Sequence, residues 1–434
     1  MDPAGLRRGM RLTSQTLVAK WAETVSQALL VLILPRALGP SAYGEFAVAF
    51  AAVSLLSLGL GLGAPLAAIR YVPAATAGER LGLARTVARS VAISRARILA
   101  ALTAAAVALA PPVLGVPLLL TLVVCAAAWC SVGSSIASEL ALAAGRSGVW
   151  NIRFPLENAL VVVAASAGYA TAGAHGAITG MALACAATFA VLFTRLATHL
   201  RGARGGPRLP AGAVAYVRLE TVSVVLGTIV MRGGPLARPL AGASTAQTGF
   251  AAIATGVGAA GMATMVDLLI VHLPRLVQLR IESGDHADHE AARAARHALL
   301  VAIATALPMA LLAGPAVHVA FGADFSGARS AVELALPSIP LGVVLGLATV
   351  TASLDLRPGA LAVSWGIGAV TFAGVAAATI PGLDAEGAAL AMSGGFLASA
   401  LAATALIGGR ELRRACVAAL AVAAAVLVAG ALTA

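Results

Sequence analysis

Lys20 and Glu23 sit in a segment, 13–35, that is otherwise apolar enough to cross a bilayer. Three residues apart, they share one face of a helix. A charge at the middle of a membrane helix costs about 2.5–3.5 kcal/mol on insertion scales, so such residues face a water-filled space or a partner. One reading is a polar stripe on a cavity wall, where Lys20 meets a phosphate or Glu23 carries a coupling proton. The other is a self-neutralising pair near the interface, with the Lys20 ammonium reaching up to water. Asp267 lies in Met265-Val266-Asp267-Leu268-Leu269-Ile270-Val271, with no charged residue within four positions. A carboxylate so placed is protonated or paired, which makes it a candidate for ion coupling (H+ or Na+) or for a helix contact. Glu139, Glu157 and Glu220 lie near helix ends. Arg153 precedes Glu157 by four, the spacing of a simple helix pair.

Arg70 ends the second apolar segment, where it would anchor at the interface or capture a phosphate. Together with Lys20, Glu23, Arg36 and Arg232 it completes the set of candidate substrate-cavity residues. Arg232 lies at the end of the seventh apolar segment and Arg238 in the loop after it; they could meet an anion there, or be plain loop charges. Asp285-His286-Ala287-Asp288-His289-Glu290 has the composition of a metal site, but His286 and His289 lack a third ligand on a fixed element and read as a solvated loop. Cys125, Cys130, Cys185 and Cys416 all fall inside apolar segments, with no Cys-x-x-Cys pair, and read as small buried residues. The chain contains no G-x-x-x-x-G-K-[ST], G-x-S-x-G or H-E-x-x-H run, so no nucleotide, serine-hydrolase or zinc-protease chemistry is indicated and no cofactor is expected.

The elements that carry these residues follow from composition. Of 434 residues, 60% are hydrophobic and 11% are charged, well below the roughly 25% of a soluble domain. Such a chain cannot cover a water-facing surface. Thirteen segments approach the length of a membrane span: 13–35, 45–69, 98–114, 117–143, 155–173, 175–195, 215–236, 247–273, 298–318, 331–353, 359–380, 387–408 and 415–433. With the N-terminus in the cytoplasm, 24 arginines fall on the cytoplasmic side of this map. Only Arg36, Arg232, Arg238 and Arg329 fall outside, as the positive-inside rule requires. The net charge of +11 therefore reflects orientation. It is not a nucleic-acid footprint, which would need clustered charge and stacking aromatics, and aromatics are only 4%. Arg7, Arg8 and Arg11 resemble the start of a signal peptide, but Lys20 and Glu23 make the following segment a first membrane helix.

A repeat is visible. Arg36-Ala37-Leu38-Gly39 and Gly44-Glu45-Phe46-Ala47 are echoed by Arg238-Pro239-Leu240-Ala241 and Gly249-Phe250-Ala251, each followed by a Gly-rich helix. Six apolar segments separate the copies, so both halves enter the membrane in the same direction, a parallel repeat. Gly256, Gly258 and Gly261 suit close helix packing.

Leu34-Pro35-Arg36-Ala37-Leu38-Gly39-Pro40-Ser41-Ala42-Tyr43-Gly44-Glu45-Phe46 resembles the R-x-L-G-P-x-x-Y-G-x-F signature of polysaccharide biosynthesis membrane proteins. These are the oligosaccharide-lipid flippases of the multidrug/oligosaccharidyl-lipid/polysaccharide (MOP) exporter superfamily. Gly59-Leu60-Gly61-Leu62-Gly63 followed by Arg70-Tyr71 resembles the end of that family's second helix, and Gly249-Phe250-Ala251 its second-half element. The resemblance implies an all-α, polytopic membrane protein of 12 to 14 helices, with two pseudo-symmetric six-helix bundles around a central cavity. Here they would be residues 1–200 and 201–408, with an additional helix over 409–434. Thirteen segments and a near absence of lysine depart from the family pattern.

The resemblance further implies alternating access in a bacterial cytoplasmic membrane and translocation of a polyprenyl-pyrophosphate-linked oligosaccharide. The partners would be that lipid-linked oligosaccharide, membrane lipid, a coupling ion, and the polymerase and glycosyltransferases of polysaccharide synthesis. No bond is broken, so no enzyme activity is expected. A rival from the same superfamily is an ion-coupled multidrug-type exporter, which would favour an acidic, aromatic-lined cavity. A second rival, a membrane-embedded glycosyltransferase, would need outer carboxylates. Only Asp324, Asp384, Glu386 and, just inside the next helix, Glu333 qualify.

Overall fold

The computed structural model describes residues 3–61, 80–114, 116–143, 147–200, 213–240, 244–273 and 284–433, with a few single positions between them. Arg70 lies outside the described residues. The backbone of Lys20 and Glu23 is helical, but their side chains also lie outside what is described. No strand occurs among the described residues.

Among the described residues twelve α-helices follow one another: α1 (Pro3–Gly61), α2 (Arg80–Leu114), α3 (Leu118–Ala143), α4 (Ser147–Leu200), α5 (Ala213–Leu240), α6 (Thr245–Ile270), α7 (Gly284–Leu311), α8 (Ala313–Phe321), α9 (Arg329–Ala335), α10 (Ser338–Leu354), α11 (Pro358–Ile407) and α12 (Arg410–Ala431), with one 3₁₀ turn at Ala323–Ala328. Among the described residues nine helices are long and apolar enough to cross a membrane, or ten if the bent pair Ala323–Ala335 and Ser338–Leu354 makes one span. Three of them, α1, α4 and α11, are broken by non-helical residues at Gly39, at Ala172 and Gly173, and at Asp384. Each arm of α4 and α11 is about 25 residues, enough for the ~30 Å hydrocarbon core. Counted arm by arm, the helices follow the thirteen segments expected from hydropathy.

Two local differences stand out. The arginine-rich stretch before residue 98 is helical from Arg80, because Ala, Leu and Arg are strong helix formers and continue the span outward. The stretch from Asp285 to Glu290 is the start of α7 rather than a loop; its carboxylates suit the positive end of a helix.

The chain divides into two compact units. One comprises Met1–Leu38 and Ala52–Thr221, the other Gly39–Ala51 and Val222–Ala434. In the first, α4 doubles back on itself at Gly173 (φ 61°), and its arms touch backbone to backbone. A Cβ on Gly168 would stand 2.1 Å from the Gly176 carbonyl oxygen, and one on Gly176 2.0 Å from that of Gly168. Leu83, Val87, Val91, Leu140, Leu192 and Leu196 close the apolar core around α2, α3 and α4.

In the second unit α10 is central. It is apolar on all sides and buried from Ser338 through Ala348, packed by α6, α7, α11 and α12. Arg280 ties neighbouring ends of this unit together, donating to Asp288 at 3.1 Å and to Asp355 at 2.7 Å.

The glycine-proline signature has a structural meaning. Gly39 adopts φ 74°, ψ 168°, a conformation reserved for glycine, and ends the first arm of α1. Pro40 opens the second arm, its fixed φ suited to a first helical position. Four residues on, Gly44 meets α6. A Cβ there would lie 1.9 Å from the Thr245 carbonyl oxygen, and reciprocally a Cβ on Gly249 would lie 2.3 Å from the Pro40 carbonyl oxygen. The Ser41 and Thr245 hydroxyls bond at 2.6 Å in the same crossing. The two copies of the repeat thus pack directly on each other, glycine beside glycine.

Gly44→Ala and Gly249→Ala should each force this crossing apart and cost about 1–3 kcal/mol, the usual range for overpacking. Thermal unfolding of the purified protein in detergent checks this. A Gly256→Ala control meets nothing within 4 Å and should leave the melting temperature unchanged.

Candidate functional site

The structure distributes the sequence-derived candidates unevenly. Arg36 is exposed in the last turn before the Gly39 break and takes part in an interaction of its own. Asp267 is exposed near the end of α6 and is likewise engaged. Glu333 is bound by Arg329, whose Nε reaches its carboxylate at 2.9 Å, and Glu386 accepts from the Ser330 hydroxyl. Asp384 sits at the α11 break with φ 50° and is also engaged. Among the described residues no group of three or more His, Cys, Asp or Glu comes together to hold a metal.

Arg232 is the candidate placed in the most distinctive surroundings. It lies in α5, part of its side chain reaching the surface while its Nε is buried and has no hydrogen-bond partner. No described carboxylate pairs with it. Its guanidinium carbon stands 6.0 Å from the Phe50 ring centre, near the outer limit of a cation–π contact, and it lies within electrostatic reach of Tyr43. Tyr43, the signature tyrosine, is 8% exposed and belongs to an aromatic cluster. It stacks with Phe46 at 6.3 Å and meets Phe325 edge-on at 6.2 Å. Phe250, from the second copy of the repeat, meets the same Phe325 at 6.0 Å. The repeat and Phe325 therefore build the aromatic cluster beside Arg232. A guanidinium with a vacant donor and no countercharge among the described residues favours an anion that presents a pair of oxygens to its fork, a carboxylate or phosphate.

The first unit holds a second polar cluster. Arg153 is 2% exposed. Its guanidinium donates to Ser135 Oγ at 3.1 Å and to Ser57 Oγ at 3.3 Å, and lies 4.4 Å from the Phe154 ring centre. Its Nε faces Glu157 Oε2 at 3.7 Å, an ion pair too long for a hydrogen bond. Glu157 Oε1 accepts from Ser131 at 3.0 Å, and Ser131 also bonds Ser57. Beside it Trp150 donates to Glu139 at 3.1 Å, and Asn158 to Ser26 at 3.0 Å.

Spacing alone makes Arg153 and Glu157 a helix-end pair. The structure buries them as the centre of a network. The missed signal was the run Ser131, Ser134, Ser135 and Ser138 on one face of an otherwise apolar helix. With its charge matched, this cluster reads as a structural clamp. Removing one partner leaves the other charge buried, a loss of about 3–5 kcal/mol. Arg153→Leu and Glu157→Leu should therefore each lower the melting temperature sharply, and the double substitution should recover much of that loss. A double-mutant cycle with no coupling would remove the clamp assignment.

No family model matches the chain, and no curated protein sequence matches it. Solved structures do. The lipid II flippase MurJ in an inward closed conformation is similar with a TM-score of 0.71 at 10% identity, over 94% of this chain and 90% of that one. The Vibrio cholerae MATE transporter VcmN is similar with a TM-score of 0.63 at 13% identity, over 92% and 96%. A MOP-superfamily transporter from Pyrococcus furiosus is similar with 0.61 at 13%, over 95% of each chain. These likenesses establish the fold: an all-α, multi-pass membrane architecture shared with MOP-superfamily transporters.

Proposed function

We propose that this chain is a flippase. It would carry a polyprenyl-pyrophosphate-linked oligosaccharide across a bacterial cytoplasmic membrane by alternating access, with its N-terminus in the cytoplasm. The observation that carries this reading is Arg232, a guanidinium with a buried, unpartnered Nε and no described countercharge in a chain whose fold is that of transporters. An anion is the ligand such a group stabilises, and a pyrophosphate offers pairs of oxygens that can accept two N–H bonds of the fork. The sugar and pyrophosphate need a shielded polar path, since polar groups in hydrocarbon cost several kcal/mol, while the isoprenoid tail can remain in lipid.

The signature residues Leu38, Gly39, Pro40, Tyr43, Gly44 and Phe46 support the same reading, and so does the likeness to a lipid II flippase. Lys20, Glu23, Arg36 and Arg70 are proposed to join Arg232 along the substrate path, with Asp267 or Glu23 carrying the coupling ion. The cytoplasmic partners would be the glycosyltransferases that build the glycan, and a polymerase would receive it outside.

The likeness to MATE transporters favours a second reading, an ion-coupled exporter of small molecules. Charge separates the two. A site for cationic drugs needs acid, and Arg232 would repel them. For the Pyrococcus furiosus transporter of this fold, too, reversed polarity of the binding pocket suggests a different function.

Reconstitution in vesicles with a fluorescent polyprenyl-pyrophosphate oligosaccharide tests the proposal. Wild-type protein should move the lipid between leaflets. Arg232→Ala should slow it about tenfold or more, the worth of a hydrogen bond to a charged group, while Arg232→Lys should retain part of the rate. Wild-type vesicles that move no lipid-linked saccharide but expel a small organic cation would reassign the protein to the exporter class.

A further inference from the structure

We propose that the start of α12 binds an anionic phospholipid. Its phosphate would rest on Arg410, Arg413 and Arg414, and its acyl chains would run along Val417 and Ala421. These residues line an open groove of ≈690 Å³ with Gly409 and Ala418. All three arginines are exposed. Arg414 holds Glu411 at 2.6 Å, whereas Arg410 and Arg413 have no ion-pair partner among the described residues. Three guanidinium groups around one carboxylate leave a surplus of positive charge in a single turn and a half of helix.

The rest of α12 makes this surplus specific to a lipid. Its inner face packs through Leu412, Cys416, Ala419, Ala423 and Val426. Its outer face is apolar to the end, with Val417 70%, Val428 59% and Leu432 79% exposed. From the arginines to Leu432 that face runs about 28 Å at 1.5 Å per residue, close to the thickness of the hydrocarbon core. The three cations therefore lie at headgroup depth and the stripe below them at acyl-chain depth. A soluble anion would satisfy the arginines but leave the stripe unused.

Gly408 and Gly409 shape the turn beside the groove. Their φ values of 78° and 96° turn the chain from α11 into α12, and a Cβ at either would meet nothing within 4 Å. Guanidinium forks match phosphate oxygens, and a zwitterionic headgroup would bring its own ammonium against them. This site is separate from Arg232 and does not depend on the substrate assigned above.

Native mass spectrometry of the full chain in detergent, titrated with phosphatidylglycerol or phosphatidylethanolamine, tests the site. Wild-type protein should retain phosphatidylglycerol in preference to phosphatidylethanolamine, and inorganic phosphate should not displace it. The pair Arg410→Gln and Arg413→Gln should weaken that retention about tenfold or more, given the attraction of each surface cation to anionic lipid. The pair Arg410→Lys and Arg413→Lys should keep most of it, and Arg293→Gln with Arg296→Gln, exposed on α7, should change nothing. Equal retention of the two lipids by wild-type protein, or unchanged phosphatidylglycerol binding in the glutamine pair, would overturn the proposal. So would displacement by inorganic phosphate or by a polyprenyl diphosphate, which would make the groove a soluble-anion or substrate site.

Discussion

Hydrocarbon offers no partner to a backbone amide, so every crossing segment must close its own hydrogen bonds, and in this chain it does so as helix. The same solvent removes the hydrophobic effect as a force between helices, since lipid tails are as apolar as leucine. What remains is close contact, and close contact between helices needs small side chains. The glycines therefore do more than lighten the composition. At Gly44 with Gly249, and at Gly168 with Gly176, the absent Cβ atoms let carbonyl oxygens of one helix sit against the backbone of the next. The core of α10 is reached the same way, where Gly342 meets the Met262 backbone and Gly258 meets the Ala335 carbonyl.

Charge is the second consequence of the same solvent. A guanidinium inside such a bundle must be matched, and Arg153 and Arg232 show two outcomes. Arg153 lies among Ser57, Ser135 and Glu157, so its charge is matched by a carboxylate of the protein even though its Nε makes no hydrogen bond, and the cluster contributes to holding α1, α3 and α4 together. Arg232 has aromatic neighbours and, among the described residues, no carboxylate in ion-pair reach, so the charge that matches it must come from elsewhere. A closed cation is a clamp, and an open one is a binding group. The part-buried carboxylates Glu333 and Glu386 of the second unit are of the closed kind, Glu333 held by Arg329 and Glu386 by Ser330.

The same logic extends to the surface. Arginines at helix ends set orientation in the membrane, but most are scattered or, like Arg280, spent on carboxylates of neighbouring helices. At the start of α12 three of them share one face above an unbroken apolar stripe. There the pattern along a single helix mirrors the profile of a lipid molecule, charged at one end and apolar below.

Much of this was readable from the chain alone. Hydropathy placed the long apolar helices and their order, because 20 apolar residues in succession have few alternatives. The arginine asymmetry proposed an orientation, and the Arg36–Phe46 motif and its echo near Gly249 pointed to the transporter fold that the structure has. Tertiary structure alone decided which polar residues meet. Arg153 and Glu157 read as a simple end-of-helix pair because four-residue spacing is the same on a wetted face and a buried one. Only the packing of Ser57 and Ser135 against them distinguishes the two. Likewise nothing local to Arg232 shows that Phe50, far away in sequence, lies beside it. Secondary structure in a membrane follows from the composition of one segment against its solvent. A site follows from which segments touch, and that depends on shape complementarity between helices distant along the chain.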